Sequence, residues 1–173
     1  ISHLTVAKSS DGISNWRIET DPLLSPDDNA SPYEEFGCED PRITWLEDIG
    51  KWIIAYTSYS PYGAGVSLAA TDDFKTVERF GLVLAPSNKD AAVFPRKING
   101  SYWMLHRPVS GTIEHIWLTD STDIYHWGHP ACVIKERGGP MWDSMKVGAG
   151  CIPIETEEGW LIFYHGVITT CNG

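Results

Sequence analysis

Short apolar runs alternate with turn signals along this chain, and a helical period of 3.6 is almost absent. The runs are rich in β-branched and aromatic residues and are bounded by Gly, Asn and Asp. This pattern predicts strands at His3–Lys8, Arg42–Leu46, Trp52–Tyr59, Gly65–Thr71, Ala92–Ile98, Ser101–Arg107, Ile113–Thr119, Ala149–Thr156 and Trp160–Val167. Asp48-Ile49-Gly50, Asn99-Gly100 and Glu157-Glu158-Gly159 supply tight reversals, because Gly and Asn tolerate positive φ. The expected fold class is all-β.

The strands recur in a larger pattern. Pro41-Arg42-Ile43 leads to Trp52–Thr57, Pro95-Arg96-Lys97 to Tyr102–Arg107, and Pro153-Ile154-Glu155 to Trp160–His165. Superposing the three segments places Thr57, Arg107 and His165 at one equivalent position. A second signal runs in parallel: Ser10-Asp11-Gly12…Trp16, Thr71-Asp72-Asp73-Phe74 and Thr119-Asp120-Ser121-Thr122-Asp123…Trp127 each read as a polar Asx-type turn with an aromatic packed beneath. Spacings of 62 and 50 residues between the turns, and of 50 and 58 between Trp52, Tyr102 and Trp160, are those of propeller blades. About three blades fit in the chain, too few to close a ring. It opens at Ile1 in mid-pattern and stops at Asn172-Gly173 after an inner strand. Residues 1–173 are therefore expected to be a partial β-propeller catalytic domain, truncated at both ends.

Composition narrows the function. Of 173 residues, 42% are hydrophobic and eight are Trp, which suits sheet packing and also sugar-binding platforms. A net charge of −10 argues against nucleic acid and anionic membrane surfaces, both of which call for basic protein. No apolar run reaches the 18 residues of a membrane span. Cys38, Cys132, Cys151 and Cys171 have no C-x-x-C spacing, so reduced cysteines in a cytoplasmic protein are expected, without a metal. His115, His126 and His129 lack ligand spacing and read as structural or surface residues. His106 is expected to pack within its strand, with Arg107 facing the other way. Arg96 reads as peripheral. Asn29-Ala30-Ser31 and Asn99-Gly100-Ser101 match the glycosylation acceptor pattern, and the second reads as a hairpin turn.

Against this acidic background, four patches concentrate chemistry. They are Gly37-Cys38-Glu39-Asp40-Pro41-Arg42; Asn88-Lys89-Asp90 running to Pro95; Leu105-His106-Arg107-Pro108; and Trp142-Asp143-Ser144-Met145-Lys146-Val147-Gly148 with Tyr164-His165-Gly166. Cations and a carboxylate gathered around a repeated β-unit suggest an anion-handling enzyme. In this order the patches resemble glycoside hydrolase family 130, mainly inverting mannoside phosphorylases on a five-bladed β-propeller. The resemblance runs from the Ser10-Asp11-Gly12 turn to His165-Gly166-Val167.

The resemblance implies Asp40 as general acid, acting through a hydroxyl of the bound mannosyl unit. Cleaving a glycosidic bond requires a proton for the leaving oxygen, and a carboxyl held partly out of water keeps one. The bland alternative is a turn cap before Pro41. The resemblance also places Lys89, Arg107, Lys146 and His165 on phosphate-binding positions. Arg offers a forked donor and Lys a point charge for such an oxyanion. Lys89 stands where the family often has Arg. Glu39, Arg42 and Asp143 are assigned to substrate binding, although Glu39 can equally pair with Arg42, and Asp143 with Trp142 can serve a turn and core. No cofactor is implied; inorganic phosphate is the co-substrate and a mannose-containing oligosaccharide the partner. Relatives often assemble, which leaves room for a homo-oligomer.

An inverting hydrolase uses two carboxylates, one of them to activate water. Phosphate is already an anionic nucleophile, so a phosphorylase replaces the base with a cationic cradle. Retention of the four cradle residues favours phosphorolysis of β-mannosides to α-mannose 1-phosphate. Two alternatives stand beside it: a β-1,2-mannosidase of the same family, with Asp90 or Asp143 as its base, and a non-catalytic glycan-binding propeller.

Overall fold

The computed structural model describes residues 1–26 and 31–168, so the acceptor pattern at Asn29 falls partly, and Cys171 wholly, outside it. Among the described residues every regular element is a strand. β1 (Ala7–Lys8) and β2 (Arg17–Ile18) form an N-terminal ribbon. β3 (Gly37–Leu46), β4 (Lys51–Ser60), β5 (Gly63–Thr71) and β6 (Glu78–Leu84) form a four-stranded antiparallel meander. β7 (Asn88–Val93), β8 (Tyr102–Pro108), β9 (Ile116–Ser121) and β10 (Gly128–Ile134) form a second one in the same order. The last unit is a long hairpin in two stretches. β11 (Lys146–Ala149) pairs with β14 (Tyr164–Val167), and β12 (Ile154–Thr156) pairs with β13 (Gly159–Leu161). Between the stretches, Gly150 N–H donates to the Phe163 carbonyl at 2.9 Å.

Alternation along each inner strand builds the interior. On β4, Ile53 and Ala55 face the second sheet, while Ile54 and Tyr56 face Leu4 and Leu24 of the N-terminal segment. On β8, Tyr102 and Met104 face the first sheet and Leu105 faces the hairpin. β7 divides likewise, with Ala91 and Val93 on one side and Ala92 and Phe94 on the other. Sheets buried on both faces thus stack side by side, and each fully buried aliphatic side chain contributes about 1.5–3 kcal/mol. Thr44 Oγ1 adds a polar tie, donating to the Val93 carbonyl at 3.0 Å.

The Asx turns form as expected. Asp11 accepts the Ile13 and Ser14 N–H groups, Asp73 those of Lys75 and Thr76, and Asp123 those of Tyr125 and His126. Phe74 packs on Trp52 and Trp127 on the core, but Trp16 is 56% exposed and does not lie beneath its turn. Asn99 and Gly100 both take positive φ, closing the Ile98–Ser101 hairpin. Gly50 and Gly159 also have positive φ at the other two reversals.

Several boundaries differ. The segment expected at His3–Lys8 is a strand only at its end. β3 starts at Gly37 because its ladder with β4 continues past a bulge, and β7 spans 88–93 because Pro95 has no N–H to extend it. The outer strands β6 and β10 were not expected; they are half-buried and carry no clean alternation. Cys38, Cys132 and Cys151 are free thiols.

His106 is buried within β8, its Nδ1 3.1 Å from Asn88 Oδ1. Burial lowers its pKa from 6.5 to about 4. The unfolded chain therefore takes up this proton near pH 6.5 and the folded chain only near pH 4. Above 6.5 the group leaves stability unchanged, and between the two values stability is lost as pH falls, by about 3 kcal/mol in total. Denaturant unfolding of His106→Gln should show less loss between neutral pH and the acid end of that window. Equal loss in variant and wild type contradicts this.

Candidate active site

The inner strands carry the site residues in register. Thr57 pairs with Glu39, Arg107 with Lys89, and His165 with Gly148, so the three residues superposed from the sequence repeats share one ladder position. Immediately afterwards β3 and β7 both break register, from Glu39 to Arg42 and from Lys89 to Ala92. A bulge leaves extra residues on one strand and re-aims a side chain. Asp40 (φ 50°) and Asp90 (φ 55°) occupy this kink in the left-handed region, which Asp tolerates better than most residues. They are the same position in successive sheets.

Their surroundings differ. The Asp40 side chain is 51% exposed, with Lys89 Nζ at 3.5 Å from Oδ2. Asp90 is 3% exposed and gathers basic side chains from all three units: Arg107 Nη1 at 3.1 Å and His165 Nε2 at 3.4 Å from Oδ2, and Arg42 Nη2 at 3.6 Å from Oδ1. The two sheets interlock through these contacts. Arg42 of the first reaches Asp90 of the second, and Lys89 of the second reaches back to Asp40.

Arg42 is otherwise occupied, donating to the carbonyls of Asp40 (2.9 Å), Ala149 (2.9 Å) and Gly150 (3.1 Å). The alternative Glu39–Arg42 pairing does not form; Glu39 accepts from Ser2 Oγ at 2.9 Å instead. Arg107 is buried, with Nε 3.0 Å from Glu114 Oε2, and Lys146 Nζ lies 3.0 Å from Glu114 Oε1. Arg107 Nη1 also stands 3.4 Å from His165 Nε2. Burial depresses the His165 pKa; Asp90 opposes this, while Arg107, Arg42 and Lys89 reinforce it. The ring therefore enters the site neutral at neutral pH.

Asp143 lies apart from this cluster. It is buried, accepts from Arg137 Nε at 2.8 and 2.9 Å and from the Tyr164 hydroxyl at 3.0 Å, and so shapes the turn that leads to Lys146. Trp142 is half-exposed and stacks on Tyr164, with ring centroids 5.3 Å apart. Arg96 pairs with Glu155; His115, His126 and His129 pair with Glu136, Asp123 and Asp120. Among the described residues no group of three or more His, Cys, Asp or Glu is arranged for a metal ion.

Arg42, Lys89, Arg107 and Lys146 thus face Asp40, Asp90 and Glu114, a small cationic excess in a chain of net charge −10. Sequence reasoning singled out Asp40 and the cradle residues. It weighed Asp90 only as a water-activating base, and missed Glu114 and Arg137. Asp90 carried one signal, its offset within Asn88-Lys89-Asp90 matching Asp40 within Cys38-Glu39-Asp40.

A profile described as β-1,4-mannooligosaccharide phosphorylase, that of glycoside hydrolase family 130, matches residues 1–173. The chain belongs to family 130. A β-1,2-mannobiose phosphorylase of Listeria innocua is 39% identical over 96% of this chain and 45% of its own length. A β-1,4-mannooligosaccharide phosphorylase of Ruminococcus albus is 38% identical over 95% of this chain and 50% of its own. The solved Listeria innocua enzyme in complex with β-1,2-mannobiose superposes with a TM-score of 0.86 at 38% identity, over 95% of this chain and 45% of that one. The fold is that of the family-130 propellers. This chain spans about half the length of the relatives it matches.

Gly148 leaves no room beside the cluster. An added Cβ would overlap Asp90 Oδ2 and stand 2.6 Å from His165 Cε1 and 2.7 Å from Nε2. Gly148→Ala should therefore lower stability by about 1–3 kcal/mol and move the His165 titration, read by NMR, upward towards that of free histidine. Unchanged melting and titration would contradict the packing.

Proposed function

We propose that the protein is an inverting β-mannoside phosphorylase, with Asp40 as general acid and Lys89, Arg107, Lys146 and His165 as the phosphate seat. One observation carries this reading: Asp40 of β3 and the basic side chains of β7, β8, β11 and β14 gather in one cluster, with Lys89 Nζ at 3.5 Å from the Asp40 carboxylate. The names of the relatives support it. β-1,2- and β-1,4-linked mannosides are the candidate substrates.

In the step proposed, Asp40 supplies a proton to the leaving glycosidic oxygen, through a sugar hydroxyl as the family suggests. As the C1–O bond breaks, a phosphate oxygen bonds C1 from the opposite face, giving α-mannose 1-phosphate. The Lys89–Asp40 pair is solvent-exposed and weak, so the lysine can exchange to phosphate at little cost. Arg107 is held by Asp90 and Glu114, which leaves Nη2 to donate. The alternative hydrolase would need a second carboxylate facing water. Asp90 and Asp143 are both buried and ion-paired, which weighs against either as a base.

Incubating the full-length protein with β-mannobiose should yield mannose 1-phosphate only when phosphate is supplied, and Asp40→Asn should lower kcat by about 10²–10⁴-fold. Equal release of free mannose without phosphate would overturn the assignment.

A further inference from the structure

Glu114 lies outside the cradle identified from sequence, on the segment joining β8 to β9. It is 1% exposed, and it touches two cations from different units. Oε2 stands 3.0 Å from Arg107 Nε of the second sheet, and Oε1 stands 3.0 Å from Lys146 Nζ of the hairpin. Neither oxygen has an aligned hydrogen-bond donor among the described residues. Charge alone therefore holds the three groups together. A buried carboxylate with no other partner is strongly disfavoured unless both cations stay where they are.

The backbone of Glu114 is engaged separately. Its N–H donates to the Met145 carbonyl and its carbonyl accepts from Val147 N–H, both at 3.0 Å. These bonds join the second sheet to the hairpin whatever the side chain does. Stapling the seam is thus the backbone's task, which leaves the carboxylate a different one. Arg107 is also tied by Asp90, whereas Lys146 has Glu114 as its sole ion-pair partner among the described residues.

The geometry points to Glu114 as the positioning residue of the anion seat. One buried carboxylate fixes the spacing of Arg107 and Lys146, so that their remaining N–H groups meet the oxyanion already placed. This rests on the phosphorolytic reading above. Preorganised donors lose no reorganisation energy when charge arrives, whereas an untethered lysine must be ordered by the ligand itself.

Glu114→Gln retains the size and the backbone bonds. Its amide, however, presents a carbonyl to one cation and N–H donors to the other, so one of the two must swing away. Steady-state kinetics on the full-length protein should show the phosphate KM raised about tenfold, with the mannoside KM within about twofold of wild type. Combined with Lys146→Met, the effects on phosphate KM should be less than additive, since Glu114 acts partly through that lysine. If Glu114→Gln does not fold, Glu114→Asp keeps the charge but reaches only one cation, and reads the same split. An unchanged phosphate KM in a folded variant overturns the inference and leaves the phosphorylase reading intact. Parallel losses in both KM values mark a scaffold role and also overturn it. Wild-type turnover that does not depend on phosphate overturns both.

Discussion

The Asp90 carboxylate, 3% exposed, lies between 3.1 and 3.6 Å from Arg107, His165 and Arg42, which come from three different units of the fold. Without an anion there, the Arg42 and Arg107 guanidiniums would face one another across the seam uncompensated. A buried ion cluster of this kind adds little net stability, because desolvation offsets much of the attraction. Its effect is geometric. It fixes how the first sheet, the second sheet and the hairpin sit relative to one another, and so where Arg107 and His165 point. Gly148 belongs to the same constraint, since only a residue without Cβ leaves Asp90 and His165 their space.

Asp40 and Asp90 illustrate how a repeated backbone acquires two chemistries. Both sit at a bulge with positive φ and both follow the residue paired with the shared ladder position. Neighbouring residues separate them: Arg107 stands where the first sheet has Thr57, and Lys89 where it has Glu39. The second carboxylate is drawn inward as a counter-ion, and the first stays at the surface of the site, half-exposed. Environment rather than residue type separates the two carboxylates.

Much of this was legible in the sequence. The phase of Thr57, Arg107 and His165 survives because a strand's side chains repeat every two residues, so equal offsets from the aromatic anchors mean equal faces. The Asx turns were legible because an Asp side chain and its N–H partners lie within three residues. The outer strands were not, since half-buried edges carry no alternation. Nor were the partners of Arg42, which lie 107 and 108 residues along the chain. Glu114 stands outside any strand, and nothing local marks it as the counter-ion of Arg107 and Lys146. The exposed Trp16 is the reverse case: the turn before it is local and forms, while the packing of its ring depends on tertiary surroundings.

The proposed function turns on where an oxyanion binds relative to Asp40. A crystal of the full-length protein soaked in phosphate or tungstate tests it most directly. Density for the anion within hydrogen-bond distance of Arg107, Lys146 and His165 is the result expected. A seat that stays empty at saturating anion, or an anion bound elsewhere with these side chains still locked to Asp90 and Glu114, would contradict it.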